Sequence, residues 1–292
     1  MFVLMLLGLW AARRRWIGPA AVTGMTNILI YFVVPCVIVD AFNQPYSAAR
    51  MHDLGWSVLI DALTFPVAIG VAYAVFRGRD PDTRRALRFG AIYSNSMFLG
   101  IPLVQALLGS DGVFFTIAFL TVFNVIVWSH GFGMFSADGS AWRRMFSTPA
   151  LPAVAVGLLV FVFSVPLPGL LSQGLGYMAG MNAPLSMLVV GASLAQVSWR
   201  GLLTDLRLWA GVAVRNVLLP VVIALALWPV PLPQPVRLAI LIPLACPVAA
   251  FLVLFSVKTH RDASFGGSLV ALSTLVSIVT VPAVIALASA LW

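Results

Sequence analysis

Apolar residues dominate this chain in long runs, separated by short stretches of arginine, proline and small polar residues. Ten runs can be read, over 1–12, 18–43, 55–76, 86–109, 112–134, 147–164, 170–197, 206–228, 236–257 and 264–290. Most reach the roughly 20 apolar residues that an α-helix needs to cross a bilayer. None alternates as a half-buried strand does. The first stops at Arg13, Arg14 and Arg15, so it either starts upstream or crosses incompletely. The pattern predicts an all-α integral membrane protein of ten transmembrane helices.

Composition agrees. Of 292 residues 61% are hydrophobic and 9% charged, where a soluble domain carries about a quarter charged residues. A net charge of +8 raises nucleic acid as a partner, but the placement of the basic residues removes it. Arg13, Arg14, Arg15, Arg77, Arg79, Arg84, Arg85, Arg88, Arg143, Arg144, Arg200, Arg207, Lys258 and Arg261 fall at one set of alternate loops. Arg50 and Arg237 fall at the other. The positive-inside rule makes the first set cytoplasmic, which predicts a multi-pass protein of the cell inner membrane with both termini on the non-cytoplasmic side. No basic segment precedes the first run, so it is not a secretory signal. Cys36 and Cys246 lie in apolar runs far apart and read as small buried residues, not as a disulfide or metal framework. All nine acidic residues are aspartates, for which the sequence offers no physical reason.

Prolines reveal a second level of order. Pro35 and Pro184 are 149 residues apart, Pro66 and Pro220 154, and Pro102 and Pro247 145. Nearly constant spacing predicts two five-helix repeats, 1–135 and 136–292. Five is odd, so the second repeat enters the membrane inverted, the plan of many secondary transporters.

Ionisable groups inside a bilayer are costly and usually functional. Asp61 in the third run and Arg215 in the eighth each precede their run's proline by five residues. Asp61 reads as a site for a coupling proton or cation, and Arg215 as the counter-charge of an anionic substrate. The competing assignment is a structural pair, or two side chains reaching to opposite interfaces. Asp40 reads as interfacial. Pro102 and Pro247 stand near mid-membrane, where a proline removes a donor and breaks or kinks a helix. Ser94, Asn95 and Ser96 precede the first of these. If both helices open there, their half-helix N-termini offer partial positive charge to an anion. Asn182 and Ser186 around Pro184, with Asn124, Ser273 and Thr274, are weaker candidates. Gly191 to Ala195 reads as a close-packing face. His130 directly follows Ser129, a spacing that points the two side chains apart. Metal, paired-carboxylate and phosphate-loop motifs are missing, so no enzyme, resident cofactor or metal is expected.

The segments SNSMFLGIPLV at 94–104, NAPLSMLVVGASLA at 182–195, NILIYFVVP at 27–35 and LSTLVSIVTVPAV at 272–284 resemble the auxin efflux carrier family. The resemblance spans nearly the whole chain, in the family's order. It implies ten helices in inverted repeats, with the fourth and ninth crossing at their prolines, as in bile-acid symporters and sodium–proton antiporters. Helices 1, 2, 6 and 7 would form a scaffold, and 3–5 and 8–10 a transport domain moving against it. The family's crossover prolines map to Pro102 and Pro247, its helix 4 asparagine to Asn95, and its helix 7 proline region to Asn182 and Pro184. Substrates of such proteins are organic anions, including auxin and dicarboxylates such as malate or malonate. The implied partners are therefore a small organic anion and the lipid bilayer, with a homodimer through the scaffold. Coupling would be to protons or sodium. Val248, Ala249, Ala250 and Phe251 stand where the family often places a polar residue, and only Phe135 to Thr148 replace the long loop of the plant carriers. A membrane sensor that binds a ligand without moving it, and a channel, are the alternatives.

Overall fold

A chain in lipid must satisfy every backbone N–H and C=O within itself, and helices do so residue by residue. The structure, a computed structural model, describes residues 2–78, 80–136, 148–195 and 202–292. Its elements are α1 (Phe2–Arg13), α2 (Pro19–Phe42), α3 (Ala48–Val75), α4 (Pro81–Ile92), α5 (Ser96–Gly131) and α6 (Ala150–Val162). There follow α7 (Gly169–Leu194), α8 (Leu206–Leu227), α9 (Gln234–Ala245), α10 (Phe251–Lys258) and α11 (Ser264–Leu291). The protein is all-helical. Helices α2, α3, α5, α7, α8 and α11 are each long and apolar enough to cross a membrane, while α6 and α9 are shorter and apolar. The short first run is a short helix, α1.

Two expected helices are broken. The fourth run begins at Pro81, ends as α4 at Ile92 and resumes at Ser96. It then passes into the fifth run through Gly109 alone, whose φ of 67° is a left-handed turn that suits glycine. The ninth run ends as α9 at Ala245 and resumes as α10 at Phe251. Arg79, Arg143, Arg144 and Arg200, counted above, lie outside the described residues, as do the beginning of the sixth run and the end of the seventh.

The prolines act differently from expectation. Pro102 does not break its helix: the break lies at Tyr93–Asn95, and Pro102 is buried within α5. The physical reason is a widened turn. Residues Leu29–Val33, Ser96–Gly100 and Val214–Leu218 each form one π-helical turn, ending two residues before Pro35, Pro102 and Pro220. Val34, Ile101 and Leu219 each donate to the carbonyl five residues back. The register skip lets the helix continue past a residue that has no N–H. Pro247 does stand in a break. Pro66 lies inside regular α3, and Pro184 follows a turn at Met181, so members of the spaced pairs do not share local backbone.

Asp80, Asp205 and Asp262 accept backbone N–H bonds from Thr83, Arg207 and Ser264, which begin α4, α8 and α11. Short carboxylates are suited to capping a first turn, which accounts for three of the nine aspartates. Hydrogen bonds from Thr83, Arg207 and Ser264 respectively hold these three carboxyls below the usual aspartate range.

Helix α1 lies against the second half of α7. A Cβ on Gly191 would press into the Met5 carbonyl and stand 2.9 Å from the Leu9 nitrogen, so the two backbones touch where the sequence predicted close packing. Small residues permit such approach between membrane helices. Gly191→Val should destabilise the protein by about 1–3 kcal/mol through overpacking, read as a lower thermal midpoint in detergent. An unchanged midpoint would show that α1 is not held there.

Candidate functional site

The two breaks meet. Asn95 N–H donates to the Pro247 carbonyl at 2.7 Å, and Ala249 N–H donates to the Tyr93 carbonyl at 2.9 Å. The result is an isolated antiparallel bridge between Ser94 and Val248. Gly100 permits this approach: a Cβ there would lie 3.3 Å from Pro243 Cα. A further break donor, Val248 N–H, goes to Ser273 Oγ at 3.0 Å. Ser273 in turn donates to Asn216 Oδ1 at 2.6 Å, and Asn216 Nδ2 donates to the Ser273 carbonyl at 2.8 Å.

Breaking two helices leaves two carbonyl ends and two amide ends at the crossing, and each kind is treated differently. The carbonyl ends belong to Arg215. Its Nε donates to Cys246 at 3.0 Å, and Nη1 donates to Ala91 at 2.9 Å and Ile92 at 3.4 Å. Nη2 donates to Leu244. One guanidinium, 1% exposed, thus serves the C-terminal ends of both α4 and α9. Arg215, which the sequence suggested as the counter-charge of an anion, is not among the residues that line the cavity described next. Its donors are taken up by backbone oxygens that have no water.

The amide ends face open space. A cavity of 770 Å³ is lined by Asn95 and Ala250, the residues that precede the first turns of α5 and α10, and neither donates or accepts a side-chain cap. Thr23, Thr26, Ser193, Ser264, Ser268 and Thr274 add hydroxyls, and Phe98, Val189, Val253 and Leu254 add apolar wall. Among the described residues no ionisable side chain lines it. Its rim includes Pro19, Leu194, Val257 and Ala263, at the helix ends next to Arg15, Lys258 and Arg261. The cavity therefore opens toward the basic end of the bundle. A second, apolar cavity of 280 Å³ lies between Leu99, Leu103, Met187 and Pro282.

The candidates read from sequence divide accordingly. Ser94, Asn95, Ser96 and Pro247 gather at the crossing, with Asn95 reaching the cavity and the Ser94 and Ser96 hydroxyls buried without partners. Asn182 is buried and accepts from Ser186 Oγ at 3.3 Å, while Pro184 is exposed; neither lines the cavity. Asn124 donates to the Leu120 carbonyl in its own helix. Asp61 is fully buried, and neither carboxylate oxygen has a partner. It forms no ion pair with Arg215, so the two are not a structural couple. Sequence reasoning missed Asn216, although an asparagine beside an arginine in an apolar run is itself a signal. Of the cavity hydroxyls it named Thr274 and missed Thr23, Thr26, Ser193, Ser264 and Ser268, which only packing brings together. Among the described residues no His, Cys or Asp cluster could hold a metal.

A family of proteins described as "membrane transport protein" matches residues 1–141 and again 134–285. An uncharacterized transporter of Methanothermobacter thermautotrophicus is 24% identical over 289 residues, covering 96% of this chain and 93% of that protein.

Each carbonyl stripped of its donor inside the bundle costs about 1–3 kcal/mol. Arg215→Met should therefore lower the thermal midpoint in detergent well below that of Asp61→Asn. A methionine variant as stable as the parent would remove the guanidinium from its structural role.

Proposed function

The chain belongs to the membrane transport protein family, that of the auxin efflux carriers, and from that premise we propose that it is a secondary carrier for a small organic anion. The observation that carries this reading is the division of charge at the crossing. Arg215 occupies the two carbonyl ends, so the amide ends of α5 and α10 at the cavity keep their partial positive charge. A helix N-terminus carries about half an elementary charge, and two of them roughly match one carboxylate. The apolar wall suits the body of such a molecule, and Asn95 with the threonine and serine hydroxyls suits its polar atoms.

The mechanism we propose is alternating access. The cavity, open at the basic end, is the inward-facing state of a cell inner-membrane carrier whose termini lie outside. In this reading α3–α5 and α8–α11 move against a scaffold of α1, α2, α6 and α7, and the protein consists of two inverted repeats, 1–135 and 136–292. The two family matches meet at residues 134–141, at that boundary. A homodimer would form through the scaffold.

Asp61 is the proposed coupling group. An ionised carboxylate buried without a partner costs several kcal/mol, a cost removed when it takes a proton or a cation. Release and uptake of that ion on opposite faces would tie transport to a gradient.

Flux of labelled malate, malonate and auxin into proteoliposomes, with and without a pH gradient, tests the proposal. Saturable, counter-transported flux of one acid is expected, lost in Asn95→Ala with folded protein retained. Wild-type flux in that variant removes Asn95 from the site, and unsaturable flux points to a channel. Asp61→Asn should abolish gradient-driven accumulation, and unchanged accumulation would make Asp61 structural.

A further inference from the structure

Among the described residues, three of four π-helical turns precede a proline, which accounts for them. The fourth, Val127–Gly131, precedes none. It carries His130, and its effect is to set that imidazole between two tyrosines of other elements. Tyr93 Oη lies 2.8 Å from Nδ1 and Tyr73 Oη 3.5 Å from Nε2. Tyr93 is the residue whose carbonyl receives Ala249 N–H in the bridge between the broken helices. Gly131 admits it, since a Cβ there would meet the Tyr93 ring at 3.0 Å.

We propose that His130 is a proton-operated switch acting on the crossing through Tyr93; its effect on flux rests on the carrier reading above. The argument is one of hydrogen-bond inventory. A neutral imidazole has one N–H and one bare nitrogen, so one of the two tyrosine hydroxyls gives its proton to the ring. A protonated imidazole has two N–H groups, and both tyrosines must accept. Tyr93 has the second acceptor it then needs: the Ile126 carbonyl lies 3.2 Å from its hydroxyl. In the tautomer whose bare nitrogen is Nδ1, the one nearer its tyrosine at 2.8 Å, Tyr93 is the donor, and proton uptake at His130 turns its hydroxyl from the imidazole to Ile126 without losing a hydrogen bond; proton loss allows it back.

The charged and titratable surroundings are Tyr73 from α3, Tyr93 from the break, and Arg88 from α4. The Arg88 guanidinium lies 4.0 Å from the Tyr73 ring centroid, and its Nε donates to the Phe76 carbonyl at 2.9 Å. Among the described residues no carboxylate pairs with His130. The cation is instead opposed by the carbonyl end of α5, where positive charge is favoured. Histidine is the side chain that titrates near pH 6.5, and this one is half-buried beside Tyr73, which is 38% exposed, at the basic end. The proton comes from water there and returns to it. Asp61 is buried and makes no contact with this chain of groups, so the switch is separate from the proposed coupling site.

The chain has three histidines, so imidazole NMR of the labelled protein in nanodiscs can resolve His130, assigned by His130→Gln. Its signal should titrate between about pH 5 and 8, and Tyr93→Phe, which keeps the ring and the bridge, should shift the midpoint. Flux should change several-fold over the same range, and His130→Gln should abolish that step while keeping flux at high pH. A signal that does not titrate, a midpoint indifferent to Tyr93→Phe, or a pH step that survives His130→Gln would overturn the switch. A titrating His130 in a protein that moves no acid would instead overturn the carrier reading.

Discussion

A helix interrupted inside a bilayer exposes carbonyls that no water can solvate, and a single guanidinium answers for two such interruptions here. Arg215 bonds the ends of α4 and α9 together, four donors to four carbonyls. Burying that charge costs several kcal/mol, offset by carbonyls that would otherwise stand unpaired. The bridge at Ser94 and Val248 persists because the ends beside it are held. Where the breaks are fixed, the amide ends of α5 and α10 are fixed too.

The asymmetry has a chemical consequence. Had Arg215 stood at the amide ends, it would have repelled their partial positive charge and left the carbonyl ends bare. Placed as it is, it leaves beside the cavity two helix N-termini whose backbone dipoles add to the polar side chains there. Val248 N–H is taken by Ser273, which Asn216 orients, so the alanine-rich stretch after Pro247 needs no polar side chain of its own. Asn95, by contrast, presents its side chain at the cavity. Aromatic rings fill the volume beside the crossing: Phe65 stacks on Phe119, and Tyr93 packs edge-on against Phe123. Tyr93 thereby stands between that core and the bridge.

Much of this order was legible from residues alone. The apolar runs marked the helices, since each must be long enough to satisfy its own backbone across lipid. Asp80 and Asp205 stand directly before helices they cap, and Asp262 one residue further back, a local signal that went unread. Gly191 announced a close approach. Prolines were read correctly as places of irregular backbone; Pro247 stands in a break, and Pro102 does not. A π turn carries the chain past Pro35, Pro102 and Pro220, and whether a helix widens or breaks depends on what packs around it.

By itself, then, the sequence determined that this is a helical membrane protein, where its helices run, and which few polar groups lie within them. Those properties follow from hydrophobic length and from local backbone chemistry, both of which are written in consecutive residues. The partners of those polar groups were decided only by the tertiary structure. The sequence shows Arg215 as an arginine in an apolar run but not the carbonyls of Ala91 and Cys246 around it. The cavity walls come from α2, α5, α7, α10 and α11, residues as distant as Thr26 and Thr274, and no local pattern brings those together. Charge in a low-dielectric interior is governed by its nearest neighbours, and around Arg215 those neighbours come from both halves of the chain.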